Sequence, residues 1–167
     1  MTTRTLSSLA FCAALTLAAA ASAQQPAAPA PLPSYGSPGV TLEQAKKAAE
    51  AAEAEAKKNG WHMAITVVSN EGDLIYFGRM EDTQFGSSDV AIRKAKSAAA
   101  FRRPTKVFQD AVNANPPALQ ILTLGVIAVE GGLPLFADGK VIGAIGCSGG
   151  TAAEDAQACR AGAATIK

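Results

Sequence analysis

The chain holds one histidine, His62, and it is the strongest transition-metal ligand in the sequence. A neutral imidazole nitrogen binds iron, copper or zinc. His62 follows Trp61 and stands at the mouth of a β-branched run, where a plain surface histidine at an element boundary is the competing reading. Met63 and Met80 offer thioether sulfur, although methionine at strand positions usually fills core. Tyr76 and Thr123 offer oxygen. One histidine with Cys147 and Cys159 cannot complete a four-ligand zinc site without carboxylate help.

Other chemistries fail on spacing. Ser148 sits in Gly-Cys-Ser-Gly, which is not the Gly-x-Ser-x-Gly of a nucleophile elbow. Glu154 and Asp155 are adjacent, so they leave a helix on different sides and form no carboxylate pair. Gly131-Gly132 and Gly149-Gly150 could cradle an anion, the second pair leading through Thr151 into a helix. No Walker lysine follows, however, and no Gly-x-Gly-x-x-Gly is present. Tight turning and close packing are the favoured account of these glycines. The scarcity of nucleophiles and bases points to binding rather than catalysis.

The elements that must position these residues are legible from their punctuation. Thr41-Leu42-Glu43-Gln44 is a capping box opening an Ala-rich helix that stops at Asn59-Gly60. Met63–Val68 and Leu74–Met80 read as strands about a turn at Asn70–Asp73. Ser87 or Ser88 caps a second helix with Asp89 in its first turn, running through Phe101 and ending before Pro104. Thr105–Asn113 adds a short helix. Val126–Val129 is a short β-like run, and Glu130-Gly131-Gly132 connects it to a hairpin of Leu133–Ala137 and Lys140–Cys147. A final Ala-rich helix follows Thr151. The order α-β-β-α-(α)-β-β-α implies an α+β layer with an antiparallel sheet, not a doubly wound parallel one.

The ends of the chain carry a different signal. Arg4, the weakly apolar run Leu9–Ala20 and the small-x-small pattern Ala21-Ser22-Ala23 read as a signal peptide over residues 1–23. Anchoring through Cys12 is disfavoured, because Phe11 fills the preceding position where a small residue is expected. Residues 24–39 carry Pro26, Pro29, Pro31, Pro33 and Pro38 and read as a solvated linker. The domain is expected over Val40–Lys167, long enough for one core and too short for two. Without Arg4, the 15 basic residues fall to parity with the 14 acidic ones. That balance gives no footprint for nucleic acid or an anionic membrane, and no second apolar run predicts a membrane span. The expected location is periplasmic or secreted.

Glu130-Gly131-Gly132-Leu133-Pro134-Leu135, Gly139 and Val141-Ile142-Gly143-Ala144-Ile145-Gly146-Cys147-Ser148-Gly149-Gly150 resemble the signature of the GlcG/HbpS family. That family also includes the C-terminal domain of some corrinoid adenosyltransferases. Thr41-Leu42, Arg79-Met80, Ala91-Ile92, Lys94-Ala95, Ala98, Phe101, Asp155 and Ala161-Gly162 follow its order and spacing, so the resemblance spans the whole domain. It departs at Ser69-Asn70, where the first strand of the family usually ends in aspartate, and at Asp82-Thr83, where alanine or glycine is common.

The resemblance implies a profilin-like layered fold, homo-oligomeric assembly and binding of haem or a related tetrapyrrole. His62 is then the candidate iron ligand. Arg79 and Lys94, both in matching segments, are the cations expected to meet haem propionates. Their competing roles are a strand-end ion pair with Glu81 or Glu130 and a helix-surface charge. Met80, Thr123, Glu130, Gly131 and Gly132 complete the candidate set. The expected function is haem or small-ligand binding in haem or iron handling or sensing. The rivals are an enzyme or accessory protein acting on small oxidised metabolites and an oligomeric structural or sensory module without haem. Ala-rich helices bury modest apolar area, which also favours an oligomer.

Cys147 ends a strand and Cys159 lies well into the next helix, roughly 12 Å along its axis at 1.5 Å per residue. A disulfide needs Cα atoms within about 7 Å. Two free, buried thiols are therefore expected.

Overall fold

Thr41 caps the first helix as its sequence predicts: its hydroxyl accepts from the Gln44 amide at 3.2 Å, and the Gln44 side chain accepts from the Thr41 amide at 2.9 Å. In the computed structural model, residues 31–114 and 116–167 are described. The signal-peptide segment and Gln24–Ala30 lie outside the described residues. The elements are α1 (Leu42–Lys58), β1 (Ala64–Ser69), β2 (Leu74–Arg79), α2 (Phe85–Phe101) and α3 (Lys106–Ala114), then a 3-10 segment (Pro116–Leu124), β3 (Gly132–Ala137), β4 (Lys140–Ser148) and α4 (Ala152–Ala163).

The four strands form one antiparallel sheet in the order β2-β1-β4-β3. The fold is α+β, with the element order the sequence predicts. Strand alternation splits the core in two. Ile65, Val67, Ile145 and Cys147 pack with the alanines of α1 and with Ala158 and Cys159 of α4. Val68 and Ala144 face Ala95, Ala98 and Ala99 of α2 on the other side. The small side chains let α2 lie directly on the sheet: a Cβ at Gly146 would stand 2.6 Å from the Ala95 amide nitrogen.

Four expectations are corrected. Helix α2 begins at Phe85, not at Ser87 or Ser88, and its N-cap Gln84 makes no side-chain cap bond. Ser87 is buried, and Asp89, one turn in, pairs with Arg93 at 3.6 Å. Val126–Val129 is not a strand; Val126 is buried and the Ile127 amide donates to the Ser97 hydroxyl on α2 at 3.0 Å. The end of the proline-rich segment is docked rather than solvated. Gly36 and Ser34 exchange backbone hydrogen bonds with Val141 at 2.7 and 2.9 Å. Asn70 donates to the Gly36 carbonyl, Arg102 to the Pro33 carbonyl, and the Tyr35 hydroxyl to Ala99.

The fourth correction concerns the cysteines, which form a disulfide with Cα atoms 5.7 Å apart. Distance along the helix axis misled the sequence estimate. After Gly149-Gly150, α4 turns back and runs over the sheet, so its second turn returns above the end of β4 that it has just left. Both cysteines are fully buried.

Beside the disulfide lies the most costly feature of the interior. Lys94 of α2, only 1% exposed, reaches the Asp155 carboxylate of α4 at 2.6 Å and donates to the Cys147 carbonyl at 3.2 Å. Asp155 also accepts from the Gly150 amide at 3.0 Å. Burial is the largest influence on both groups, pushing the Asp155 carboxyl above and the Lys94 ammonium below its usual range, while their mutual attraction opposes each shift. The two helices lie on opposite faces of the sheet, so the pair joins the layers around the end where β3 begins.

Gly131 makes room for it. Its φ is +117°, and a Cβ there would stand 2.8 Å from both the Lys94 ammonium and the Asp155 Cβ. Thr105 closes the cluster, its hydroxyl accepting from the Gly132 amide at 2.9 Å and its amide donating to the Gly132 carbonyl at 3.0 Å.

Two predictions follow from this interior. Intact protein under denaturing, non-reducing conditions should lack the two hydrogens of a dithiol. A Cys147→Ala/Cys159→Ala chain should lose about 3 kcal/mol in denaturant unfolding, the loop-closure value for a short loop. A chain that alkylates at both cysteines without reduction contradicts the fold drawn here. Lys94→Met should cost about 3–5 kcal/mol by stranding a buried carboxylate. The double variant Lys94→Met/Asp155→Leu should recover most of that loss, because neither charge then remains to be desolvated. Equal losses in single and double variants would refute a dominant charge cost.

Candidate functional site

The predicted site residues separate into three groups. His62, Arg79 and Met80 lie together at one end of the β1–β2 pair. Lys94, Glu130, Gly131 and Gly132 belong to the interior cluster and its margin. Thr123 stands apart on the exposed 3-10 segment, its hydroxyl donating to the Gln120 carbonyl at 2.6 Å.

The β1–β2 end is built by register. Ala64 pairs with Arg79, and the Met80 amide donates to the Met63 carbonyl at 3.0 Å, carrying the ladder past the last paired residues. This sets His62 opposite Glu81. By alternation His62, Ala64 and Thr66 share a face with Arg79 and Phe77. Helix α2 packs across β1, β4 and β3 on that face, while β2 remains at the rim, with Leu74 and Phe77 exposed.

His62 is exposed, and its Nδ1 lies 2.9 Å from the Glu81 carbonyl oxygen. A carbonyl only accepts, so Nδ1 carries a proton, and in the neutral ring the lone pair is then on Nε2. This is the tautomer a metal-binding histidine needs, with its ring oriented by the second nitrogen. Arg79 donates to the Thr83 carbonyl at 3.0 Å and lies 4.9 Å from the centroid of the Phe85 ring. Phe85 is 86% exposed, so the guanidinium and the ring present a cation beside an apolar plate at the start of α2.

The remaining candidates are committed elsewhere. The Met80 sulfur accepts from the Met63 amide at 3.4 Å. Lys94 is neither a surface charge nor free to meet a propionate, because Asp155 and the Cys147 carbonyl occupy it. Glu130 lies 3.4 Å from Arg160, not from Arg79. Gly131 and Gly132 are buried against Lys94 and Thr105.

Beside this rim, a cleft of about 200 Å³ opens between α1 and β2, lined by Ala49, Glu53, Ile65, Tyr76, Gly78 and Met80 and bordered by Arg79 and Glu81 of the rim itself. Ligand-enclosing pockets usually exceed about 300 Å³, so this cleft does not enclose a macrocycle. The rim offers a nitrogen donor at His62, a cation at Arg79 and an aromatic plate at Phe85, residues that would suit the iron, a propionate and the ring of a tetrapyrrole. Among the described residues, no three His, Cys, Asp or Glu side chains gather to hold a metal ion.

Phe85, Gln84 and the Glu81 carbonyl were missed in the sequence. Phe85 had one readable signal: a large apolar residue just ahead of the Ser87-Ser88 cap candidates, separated from them only by Gly86 and outside any helical stripe.

Comparison with known proteins places this arrangement. The chain is similar to the GlcG protein of Escherichia coli K12, 37% identical over 98 residues that cover 59% of this chain and 72% of that one. It superposes on a double mutant of HbpS from Streptomyces reticuli with a TM-score of 0.71 at 33% identity, covering 84% of this chain and 99% of that one. The structure of a PduOC–haem complex matches with a TM-score of 0.71 at 28% identity, covering 77% and 96%. The family model described as haem-degrading protein HbpS-like matches residues 40–164. With that match running almost the full length of the domain, the chain belongs to the HbpS-like family, to which GlcG and the C-terminal domain of PduO are related.

Proposed function

We propose that this protein binds haem or a closely related tetrapyrrole at the exposed end of β1–β2, as an exported homo-oligomer working in haem or iron handling or sensing. One observation carries the site: the lone histidine is exposed, with Nδ1 held by the Glu81 carbonyl. The Arg79–Phe85 stack on the same rim supplies a cation for a propionate and a plate for the macrocycle. The haem complex of the related PduOC domain supports the choice of ligand.

Export is supported by the disulfide, since such bonds persist in oxidising compartments and are rare in the cytosol. Among the described residues no helix is long and apolar enough to cross a membrane. Assembly is supported by the 3-10 segment, whose Leu119, Leu122 and Leu124 are 52, 43 and 62% exposed. Such clustered apolar surface is normally covered by a partner.

Titration of the protein with haemin in the visible range should give a saturable Soret shift at micromolar concentrations. His62→Ala should change the spectrum and weaken binding, and Arg79→Ala should weaken binding with the axial signature retained. No saturable shift in the parent protein sinks the haem reading. An unchanged spectrum in His62→Ala moves the iron ligand elsewhere.

A further inference from the structure

The glycine pair after β4 does work that neither anion binding nor turning explains. Gly149 has φ +154°, a value L-residues rarely adopt, and its α-carbon lies over the backbone of His62. A Cβ at Gly149 would overlap the His62 carbonyl oxygen and stand 2.8 Å from the Met63 Cα and 3.0 Å from the His62 carbonyl carbon. These are all backbone atoms, so no side-chain rotation relieves the contact.

Gly149 is held in place from both sides. The Gln84 side-chain amide approaches its carbonyl at 3.5 Å. The next residue, Gly150, donates its amide to Asp155 at 3.0 Å, and Asp155 is fixed by Lys94. A continuous set of contacts thus runs from the buried ion pair through Gly150 and Gly149 to the main chain of His62.

We propose that Gly149 is the positioning residue for His62: it lets the β4–α4 connection lie against the His62 backbone and so sets the imidazole at hydrogen-bonding distance from the Glu81 carbonyl. The consequence for ligand binding rests on His62 being the haem ligand; the placement of the ring does not. Any side chain at position 149 forces the connection and the backbone of His62 and Met63 apart, and the 2.9 Å bond at Nδ1 depends on that backbone.

A single histidine makes the test clean, because the isotope-labelled full chain gives one set of imidazole signals. The unaltered protein should show the Nδ1–H tautomer and a cross-relaxation peak between Gly149 Hα and Met63 Hα. Gly149→Ala should shift the imidazole nitrogens toward a mixture of tautomers and weaken haemin binding roughly tenfold, as the loss of a ligand-orienting contact does. Gly139→Ala is the matched control: its φ is +72° with nothing within 4 Å of an added Cβ. It also places an L-residue at positive φ, without the clash, and should leave the imidazole signals unmoved.

A Gly149→Ala protein with the parent imidazole pattern overturns the proposal, even if its haemin affinity falls. Absence of the Gly149–Met63 peak in the unaltered protein overturns it as well, and that measurement stands if the variant does not fold. If the parent protein binds no haemin while Gly149→Ala moves the imidazole signals, the haem reading fails and the positioning role holds.

Discussion

The Lys94–Asp155 pair is the constraint on which the rest of the molecule is arranged. Two charges removed from water cost several kcal/mol each unless every remaining donor and acceptor is met. Here the cost is met by five segments. Helix α2 brings the ammonium and α4 the carboxylate, β4 gives the Cys147 carbonyl, the β4–α4 connection gives the Gly150 amide, and Gly131 gives up a side chain to make room. Parting α2 from α4 or β4, or α4 from the β4–α4 connection, breaks a bond to one of the charges. The disulfide adds a covalent tie at the same place, because Cys147 carries one of the acceptors of Lys94 and Cys159 lies one turn beyond Asp155. A pair that contributes little net stability thereby fixes the relative placement of the helices on opposite faces of the sheet.

What could be read from sequence follows the range of the interactions. Caps, turns and alternation act over three or four residues, so the capping box at Thr41, both hairpins and the order of elements were legible. The Lys94–Asp155 pair spans 61 residues, and nothing near Lys94 distinguishes it from the solvated lysines of a helix face. The docked end of the proline-rich segment was hidden for the same reason. Its partners Asn70, Arg102 and Ala99 are distant in sequence. Asn70 stands where the resemblance led one to expect aspartate, and the amide has a use that a carboxylate lacks, since its nitrogen donates to the Gly36 carbonyl at 2.7 Å. At the other departure, Asp82 takes φ +59°, a left-handed conformation that short polar side chains tolerate next after glycine.

The candidate site was half legible. Composition alone singles out His62, and the family spacing singles out Arg79. The geometry that makes them a unit comes from cross-strand register and from Phe85, and neither is encoded near either residue. Lys94 shows the opposite error. A lysine within a matching segment invites a role toward an anionic ligand, but burial at 1% exposure with a carboxylate at 2.6 Å commits it to the interior.

The two edges of the sheet differ in a way that bears on where the proposed site lies. An exposed edge strand invites pairing with another chain unless something blunts it. Strand β3 carries Pro134, which has no amide hydrogen to offer, and its register with β4 shifts between Leu135 and Phe136; both features suit an edge closed to further pairing. Strand β2 has only the register shift at Val67–Val68 and the charged residues that flank it, Asp73, Glu81 and Asp82. It also lies beyond the cover of α2, leaving Phe77 exposed where the inner strands are buried. The sheet thus has one edge closed by its own sequence and one left open on an apolar face. His62, Arg79 and Phe85 gather at the end of the open one, so the haem site proposed above would be built on ordered side chains at the cost of little buried structure.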